Sequence, residues 1–511
     1  MKLRPYQQKV IRDTYSYIRS GIKKILIFAP TGAGKTIISS QIVAHAVGRQ
    51  RKVLFVVHRE ILINQTASKL SSFGITSGFI KSGWPEDRNC FVQIASMQTL
   101  VSRDWWRKCS FDVIVLDECH ITAFSTIVQQ MLWEIFPLAT CLGLTATPWR
   151  LSKTQGMGDI FDNLVCAPMP HQLIDSGYLV KPSYYGTEPI NLKGVKKQNG
   201  DYDRGSLAIV CARPEIIQTV VDEWQLRANS RRTIVFAVNV QHSQNLRSAF
   251  LSVGINAAHV DGTTPTKVRN QIYSQLATGE ILVLCSCMAL TEGFDVPSVS
   301  VVVLARPTLS RALYFQMVGR GLRLSLDTDK TDCLILDCAG NVNRHGFIED
   351  LKEVKLTTGQ SSDSAGVAPN KTCPVNDGGC GKIIHASYPK CPNCGYPFEA
   401  KRLTLELNLK RQLPEGDLER LQTYRQQLKT AYENNYAPSW AAASFKESYG
   451  HFPPMDWGYG AIFGERASKK EYRKYQKHLQ QIATRLNKDI SWIDRYLKLE
   501  FSNLFSSSSR G

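Results

Sequence analysis

Short apolar runs recur through the first 350 residues at a spacing that leaves few folds open. "KILIF", "KVLFVV", "FVQIAS", "FDVIVLD" and "CLGLTAT" fall in the first half, and "RTIVFAV", "INAAHV", "ILVLCS", "VSVVVLA" and "DCLILD" in the second. Each is too short for a helix, rich in β-branched residues and continuously apolar, the pattern of strands buried on both faces. Segments of helical length separate them. The alternation predicts helix-covered parallel sheets, and each half holds enough units for its own doubly wound α/β domain.

Two breaks interrupt the pattern. "NLKGVKKQNGDYDRG" (191–205) is polar and glycine-rich, and reads as an insertion or exposed linker between the halves. "TTGQSSDSAGVAPNK" (357–371) lacks apolar periodicity and reads as a tether. From about residue 402 the chain looks helical, with aromatics spaced among charges, and the closing "SSSSRG" reads as frayed.

A length of 511 residues sets an expectation of two to four domains. No uninterrupted apolar run reaches membrane-spanning length, and "MKLRPYQQKV" lacks the apolar core of a secretory signal. The formal net charge of +18 points to a polyanionic partner, with nucleic acid the first expectation. Of 14 cysteines, ten sit in apolar stretches suited to buried, reduced thiols. The other four, Cys373, Cys380, Cys391 and Cys394, form a cluster.

The first apolar run leads into "APTGAGKT" (29–36), a phosphate-loop pattern with Ala29 where the pattern has glycine. A strand precedes it and a helix-like run follows, as the chemistry requires. Thr31, Gly32, Ala33, Gly34, Lys35 and Thr36 are the candidate nucleotide contacts. Backbone N–H groups from Gly32 to Thr36 would wrap phosphates, Lys35 would reach the β/γ pair, and the Thr36 hydroxyl would ligate Mg²⁺. "VIVLDECH" (113–120) ends a buried strand in adjacent carboxylates, costly to bury without a cation or proton donor. Asp117 suits Mg²⁺ and Glu118 suits the general base for an attacking water.

Together these motifs resemble the superfamily 2 helicases of the DEAD/DEAH-like type, and further signatures appear in order. "RPYQ" (4–7) resembles the adenine-side element, with Gln7 as its base contact. "HRE" (58–60) and "SMQTL" (96–100) resemble strand-contacting motifs, and "TATP" (145–148) the coupling motif. "TEGFDVP" (291–297) and "QMVGRGLR" (316–323) resemble the last two, adding Gly293, Asp295 and Gln316 to the nucleotide contacts. Arg320 and Arg323, three apart on one helical face, would reach across a cleft as arginine fingers.

The resemblance implies two RecA-like domains, 1–175 and 176–356, a linker 357–371, a zinc ribbon 372–400 and a basic helical region 401–511. It implies an ATP- and Mg²⁺-dependent motor on DNA. "LDCAGNVNRHGF" (336–347) and "APSWAAASFKESYGHFPP" (437–454) narrow the likeness to the RadD (YejH) type of repair helicase and its phage-borne relatives. That group implies a role in repair, recombination or replication on single-stranded or junction-containing DNA, with no membrane, in the bacterial or phage-infected cytoplasm, beside a single-strand-binding protein; monomer is the default expectation.

"CPNCG" is a zinc-knuckle spacing, and Cys373, Cys380, Cys391 and Cys394 are the expected Zn²⁺ ligands; Cys373 and Cys380 lie farther apart than such pairs do, so His385 is the alternative to Cys373. A ribbon this short needs its Zn²⁺ to fold. Residues 401–511 carry 19 Lys/Arg against 12 Asp/Glu, with Trp440, Trp457 and Trp492 interleaved. Packing is the expected role of those tryptophans. Three rival readings remain: a restriction-type nuclease motor using Asp337 with "EVK" (353–355), an RNA helicase, and a zinc-dependent DNA-binding scaffold with a dead motor.

Overall fold

The computed structural model describes residues 3–58, 61–81, 83–84, 86–149, 155–187, 190–228, 230–287, 294–359, 367–398, 415–458, 460–463 and 468–501. Gly293, Arg59 and Glu60 lie outside them, as do residues 360–366 and 401–414.

The first sheet is built from β1 (Lys24–Phe28), β2 (Val53–Val57), β3 (Ser77–Ile80), β4 (Val92–Ser96), β5 (Val113–Leu116), β6 (Thr140–Thr145) and β7 (Asn163–Cys166). Its order is β3-β4-β2-β5-β6-β1-β7, with every pairing parallel. The second uses β8 (Lys181–Gly186), β11 (Thr233–Phe236), β12 (Ala257–Val260), β13 (Val283–Ser286), β14 (Val301–Leu304) and β15 (Asp332–Asp337). Its order is β12-β13-β11-β14-β15-β8, again parallel throughout. Every residue of β2, β11, β13 and β14 is buried, which is why these strands read as unbroken apolar runs.

β3, β7 and β8, three of the four edge strands, carry no such run, whereas the fourth, β12, does. β8, "KPSYYG", alternates exposed and buried positions, and Pro182 is tolerated where no second neighbour needs its N–H.

The polar piece 191–205 is an insertion in the second α/β domain rather than a linker between the two, since β8 precedes it. It forms the hairpin of β9 (Lys197–Gln198) and β10 (Asp201–Tyr202). The Asp201 carboxylate accepts hydrogen bonds from Leu309 N (2.6 Å) and Thr308 Oγ1 (2.7 Å), pinning the hairpin to the loop after β14.

The expected tether is also corrected. The Thr357 carbonyl accepts from Gly158 N at 2.8 Å, and Gly359 N donates to Asp159 at 3.3 Å, so residues 357–359, the described start of this stretch, are held against the first domain. Past residue 366, β16 (Asn370–Thr372) pairs antiparallel with β17 (Ile383–His385). This small ribbon docks on the free edge of β8. Gly186 N donates to Gly381 O at 2.9 Å, Tyr185 bridges Lys382, and Arg227 Nη1 donates to Cys380 O at 2.8 Å. Ile383 joins the core that spans both sheets. The ribbon therefore does not swing free; Met1–Phe398 forms one compact unit.

The second unit, Glu399–Gly511, contains the helices Glu415–Glu433, Pro438–Tyr449, Lys469–Leu486 and Ile490–Glu500. Tyr475, Leu479, Leu497 and Phe501 form one cluster of its core. Trp457 is buried and Trp492 packs on that cluster, whereas Trp440 is 39% exposed. No helix among the described residues is long and apolar enough to cross a membrane.

Candidate nucleotide site and cysteine cluster

β1 delivers the chain into a turn that only glycine serves well. Gly32 (φ 89°) and Gly34 (φ 83°) are left-handed, and the helix Lys35–Gly48 starts immediately after. A Cβ on Gly34 would lie 2.4 Å from Gln7 Nε2, and one on Gly32 2.6 Å from Leu179 Cδ2. Gln7 is 2% exposed, and both its polar ends are engaged: Nε2 donates to Ala33 O (3.1 Å) and Oε1 accepts from Arg4 N (3.0 Å). Tyr6 Oη also donates to Ala33 O, at 2.9 Å. Gln7 and Tyr6 thus brace the loop from beneath, a role that sequence reasoning did not assign.

Across the sheet, β5 leads directly into Asp117 and Glu118. Glu118 takes φ 45°, ψ 50°, rare for a residue with a Cβ, which turns its side chain toward the loop. Lys35 Nζ lies 2.9 Å from Asp117 Oδ1 and also bonds Glu118 Oε1. Burial works against the Lys35 charge, but the two carboxylates outweigh it and hold its pKa above the usual lysine value. Burial likewise opposes the Glu118 charge; Lys35, then His120, with a contribution from Arg320, overcome this and lower its pKa.

His120 and Thr145 extend the site. His120 Nδ1 is 3.4 Å from Glu118 Oε2 and 3.0 Å from Thr145 Oγ1. Thr145 Oγ1 in turn donates to Thr147 O and accepts from Thr147 N, at 3.0 and 2.9 Å. A polar chain therefore joins the carboxylates at the end of β5 to "TATP" after β6. The motifs that contain His120 and Thr145 were visible in sequence; their contact was not, because 25 residues separate them.

The second domain closes over the loop. The helix Arg311–Gly321 presses Gly319 against Thr31 so closely that a Cβ there would sit 2.4 Å from Thr31 Cβ. Gln316 is buried on this helix. Arg320 Nη1 and Arg323 Nη1 both donate to Phe294 O, at 3.0 and 3.1 Å. The expected single helical face is corrected: the helix ends at Gly321, and Arg323 lies beyond it in an antiparallel bridge with Leu179. Leu322 O accepts from Val180 N at 3.0 Å, and this pairing diverts the chain from the helix. Asp295, an expected nucleotide contact, pairs with Arg323. Thr36 is the second residue of its helix, next to Lys35.

The sulfurs of Cys373, Cys380, Cys391 and Cys394 all lie within 4.8 Å of one another. Cys373 to Cys394 is 3.6 Å and Cys380 to Cys391 is 3.7 Å. A tetrahedron with metal–sulfur bonds of about 2.3 Å has edges of roughly 3.8 Å, so the donor set fits Zn²⁺. Gly379 is required here, since its Cβ would sit 2.5 Å from Cys373 Sγ. Burial opposes the Cys391 thiolate, but N–H donors of Cys394 and Asn393 bring its pKa down to about 7, whereas burial pushes Cys373 up to about 12 and raises Cys380 as well. His385 faces Asp350 at 3.4 Å and packs on Phe347.

Two family descriptions match the chain in order: "Type III restriction enzyme, res subunit" over residues 1–150, and "Helicase conserved C-terminal domain" over residues 213–325. The chain belongs to the superfamily 2 helicases. ATP and Mg²⁺ come with that membership. A Lactococcus phage (isolate 7-9) protein of 51.5 kDa is 29% identical over 414 residues, covering 80% of this helicase and 85% of the relative. A Saccharomyces cerevisiae protein named as an ATP-dependent helicase, IRC3, is 28% identical, covering 66% and 51%. The Escherichia coli type I restriction enzyme EcoAI endonuclease subunit is 24% identical, covering 65% and 46%. This helicase thus spans about half the length of the latter two. A solved fragment described as the HsdR subunit of a type I restriction enzyme from Vibrio vulnificus YJ016 shares the fold, with TM-score 0.53, 24% identity and 67% coverage of each chain.

Proposed function

We propose that this helicase is a DNA translocase whose ATP site lies between the two parallel sheets. The observation that carries the reading is the convergence of Lys35, Asp117 and Glu118 beside a loop on which the Arg311–Gly321 helix is seated. Lys35 would exchange its carboxylate partners for the β/γ-phosphates, releasing Asp117, with Thr36, to hold Mg²⁺. Bound Mg²⁺ would supply charge neutralisation at the phosphates. Glu118 would take the proton from the attacking water, with His120 Nδ1 lying 3.4 Å from its second oxygen. Arg320 and Arg323 would offset charge developing on the transferred group, so turnover requires a closed cleft. The Glu118–His120–Thr145–Thr147 chain would report that closure to the "TATP" loop.

DNA as the track is supported by the +18 net charge and by relatives named as a restriction endonuclease subunit and a DNA 3'-5' translocase. The narrower RadD-type assignment, a repair role, a single-strand-binding partner, a monomeric state and a cytoplasmic setting rest on the sequence likeness alone. The domain limits 1–175, 176–356, 357–371, 372–400 and 401–511 belong to the same proposal, as does one Zn²⁺ on the four cysteines. The restriction-subunit relatives fit the alternative reading, a motor subunit of a restriction-type system, but intrinsic cleavage through Asp337 and "EVK" loses support. Asp337 is buried, with its oxygens accepting from Ala339 N and Val342 N, while Glu353 and Lys355 are exposed and pair with each other.

The test is ATP hydrolysis with and without DNA or RNA. DNA should stimulate turnover more than RNA, and Lys35→Ala should abolish that stimulation and weaken nucleotide binding. Stimulated turnover that survives in Lys35→Ala would end this assignment.

A further inference from the structure

The helix Lys469–Leu486 divides cleanly into two faces. Tyr475, Leu479, Ile482 and Ala483 are buried on one side. Lys470, Arg473, Lys474 and Lys477 are exposed on the other, at the three- and four-residue spacings that align side chains along a helix. Among the described residues, none of these four cations makes an ion pair with a carboxylate; Lys474 lies over the Tyr432 ring, 5.9 Å from its centroid. The acid beside them, Glu471, is folded back onto Ser468, accepting from its N (2.6 Å) and Oγ (2.7 Å).

This arrangement is not what helix stability asks for. Cations in the first turns oppose the helix dipole, and like charges three or four apart repel one another. The apolar face is already spent on the core around Phe501, so the helix has nothing left to insert into a lipid surface. What remains is a fixed row of positive charge about 10 Å long, from the helical rise over seven residues.

We propose that this face is a contact surface for the phosphodiester backbone of nucleic acid, separate from the strand-contacting motifs of the two sheets. The inference rests on the reading of this helicase as a nucleic-acid motor. Four closely spaced cations match a polymer carrying one charge per roughly 1.7 Å of duplex axis. Such contacts add affinity in every nucleotide state and without sequence preference, which would keep the motor attached when its cleft opens.

The test uses the full chain, fluorescently labelled single-stranded and duplex DNA, no nucleotide, and a KCl titration. Replacing the row with glutamine (K470Q, R473Q, K474Q and K477Q together) keeps helix propensity close to that of Lys and Arg, so the melting temperature should hold. The plot of log affinity against log salt should become shallower by about 3, and affinity at low salt should fall at least about tenfold. Turnover at saturating DNA should be unchanged. A control, K193Q/K196Q/K197Q, removes exposed charge from the hairpin region and should change the slope by less than about 1. An unchanged slope in the quadruple variant, an equal change in the control, or loss of binding to anionic vesicles in place of DNA would overturn the proposal. If the parent binds no nucleic acid, the motor reading fails first and takes this inference with it.

Discussion

Gly319→Ala tests whether the second domain positions the cleft chemistry. The added Cβ would lie 2.4 Å from Thr31 Cβ and 2.8 Å from Thr31 Cγ2. Carbon atoms settle at about 3.5–4.0 Å, so the helix and the loop must part by about 1.1–1.6 Å. Thr31 Cβ cannot rotate away, because it is bonded to the loop backbone. Alanine improves intrinsic helix propensity by about 1 kcal/mol over glycine, which offsets strain within the helix. The wedge should therefore appear as separation of the domains more than as unfolding. A displacement of about 1 Å at reacting groups can lower turnover about 100-fold, equivalent to about 2.7 kcal/mol of barrier. We predict that DNA-stimulated kcat falls about 10- to 100-fold, while nucleotide affinity, read by a fluorescent ATP analogue, changes by less than about threefold. A kcat within twofold of the parent would refute the reasoning. Loss of nucleotide affinity with kcat preserved would show that Thr31, rather than the arginines, had moved.

Glu118→Gln should keep ATP bound yet stop turnover, because the amide retains an acceptor for Lys35 but cannot take a proton; single-turnover hydrolysis at wild-type rate would contradict this. Freshly purified protein should contain one Zn²⁺ per chain, and Cys391→Ser with Cys394→Ser should lose it. Because the ribbon docks on β8 through Gly381, Lys382 and Cys380, that variant should also raise hydrogen exchange along β8, and unchanged β8 protection would show the docking to be inert. Glu500 gives the pH prediction: burial pushes its carboxyl up to about 7, partly offset by N–H donors from Phe463 and Ile462. A carboxyl raised in the folded state binds protons that the unfolded chain has released, so stability of these helices should fall as pH rises from about 4.5 to 7 and then level off. Glu500→Gln should flatten that trend in hydrogen exchange of Ile490–Glu500, and an unchanged slope would dismiss it.

The sequence alone carried the two-domain α/β architecture and most central strands, because a strand buried on both faces must be apolar along its whole length. It carried the phosphate loop and the carboxylate pair, since phosphate and Mg²⁺ chemistry demands those residue types in short, local patterns. It also carried the four cysteines, although the irregular spacing of Cys373 and Cys380 left His385 open until the sulfurs were seen converging and His385 turned to Asp350. Tertiary structure decided the rest. The edge strands β3, β7 and β8 have no distinctive pattern, because half their surface meets solvent or a late-arriving neighbour. The bracing of the loop by Gln7, the His120–Thr145 contact and the seating of Gly319 on Thr31 join residues 25 to 288 positions apart in the chain. Composition around 357–371 suggested a tether, yet backbone hydrogen bonds, which any residue can make, hold its described ends in place. Local patterns report what a segment must bury or bind; which distant backbone it meets is settled only when the whole chain packs.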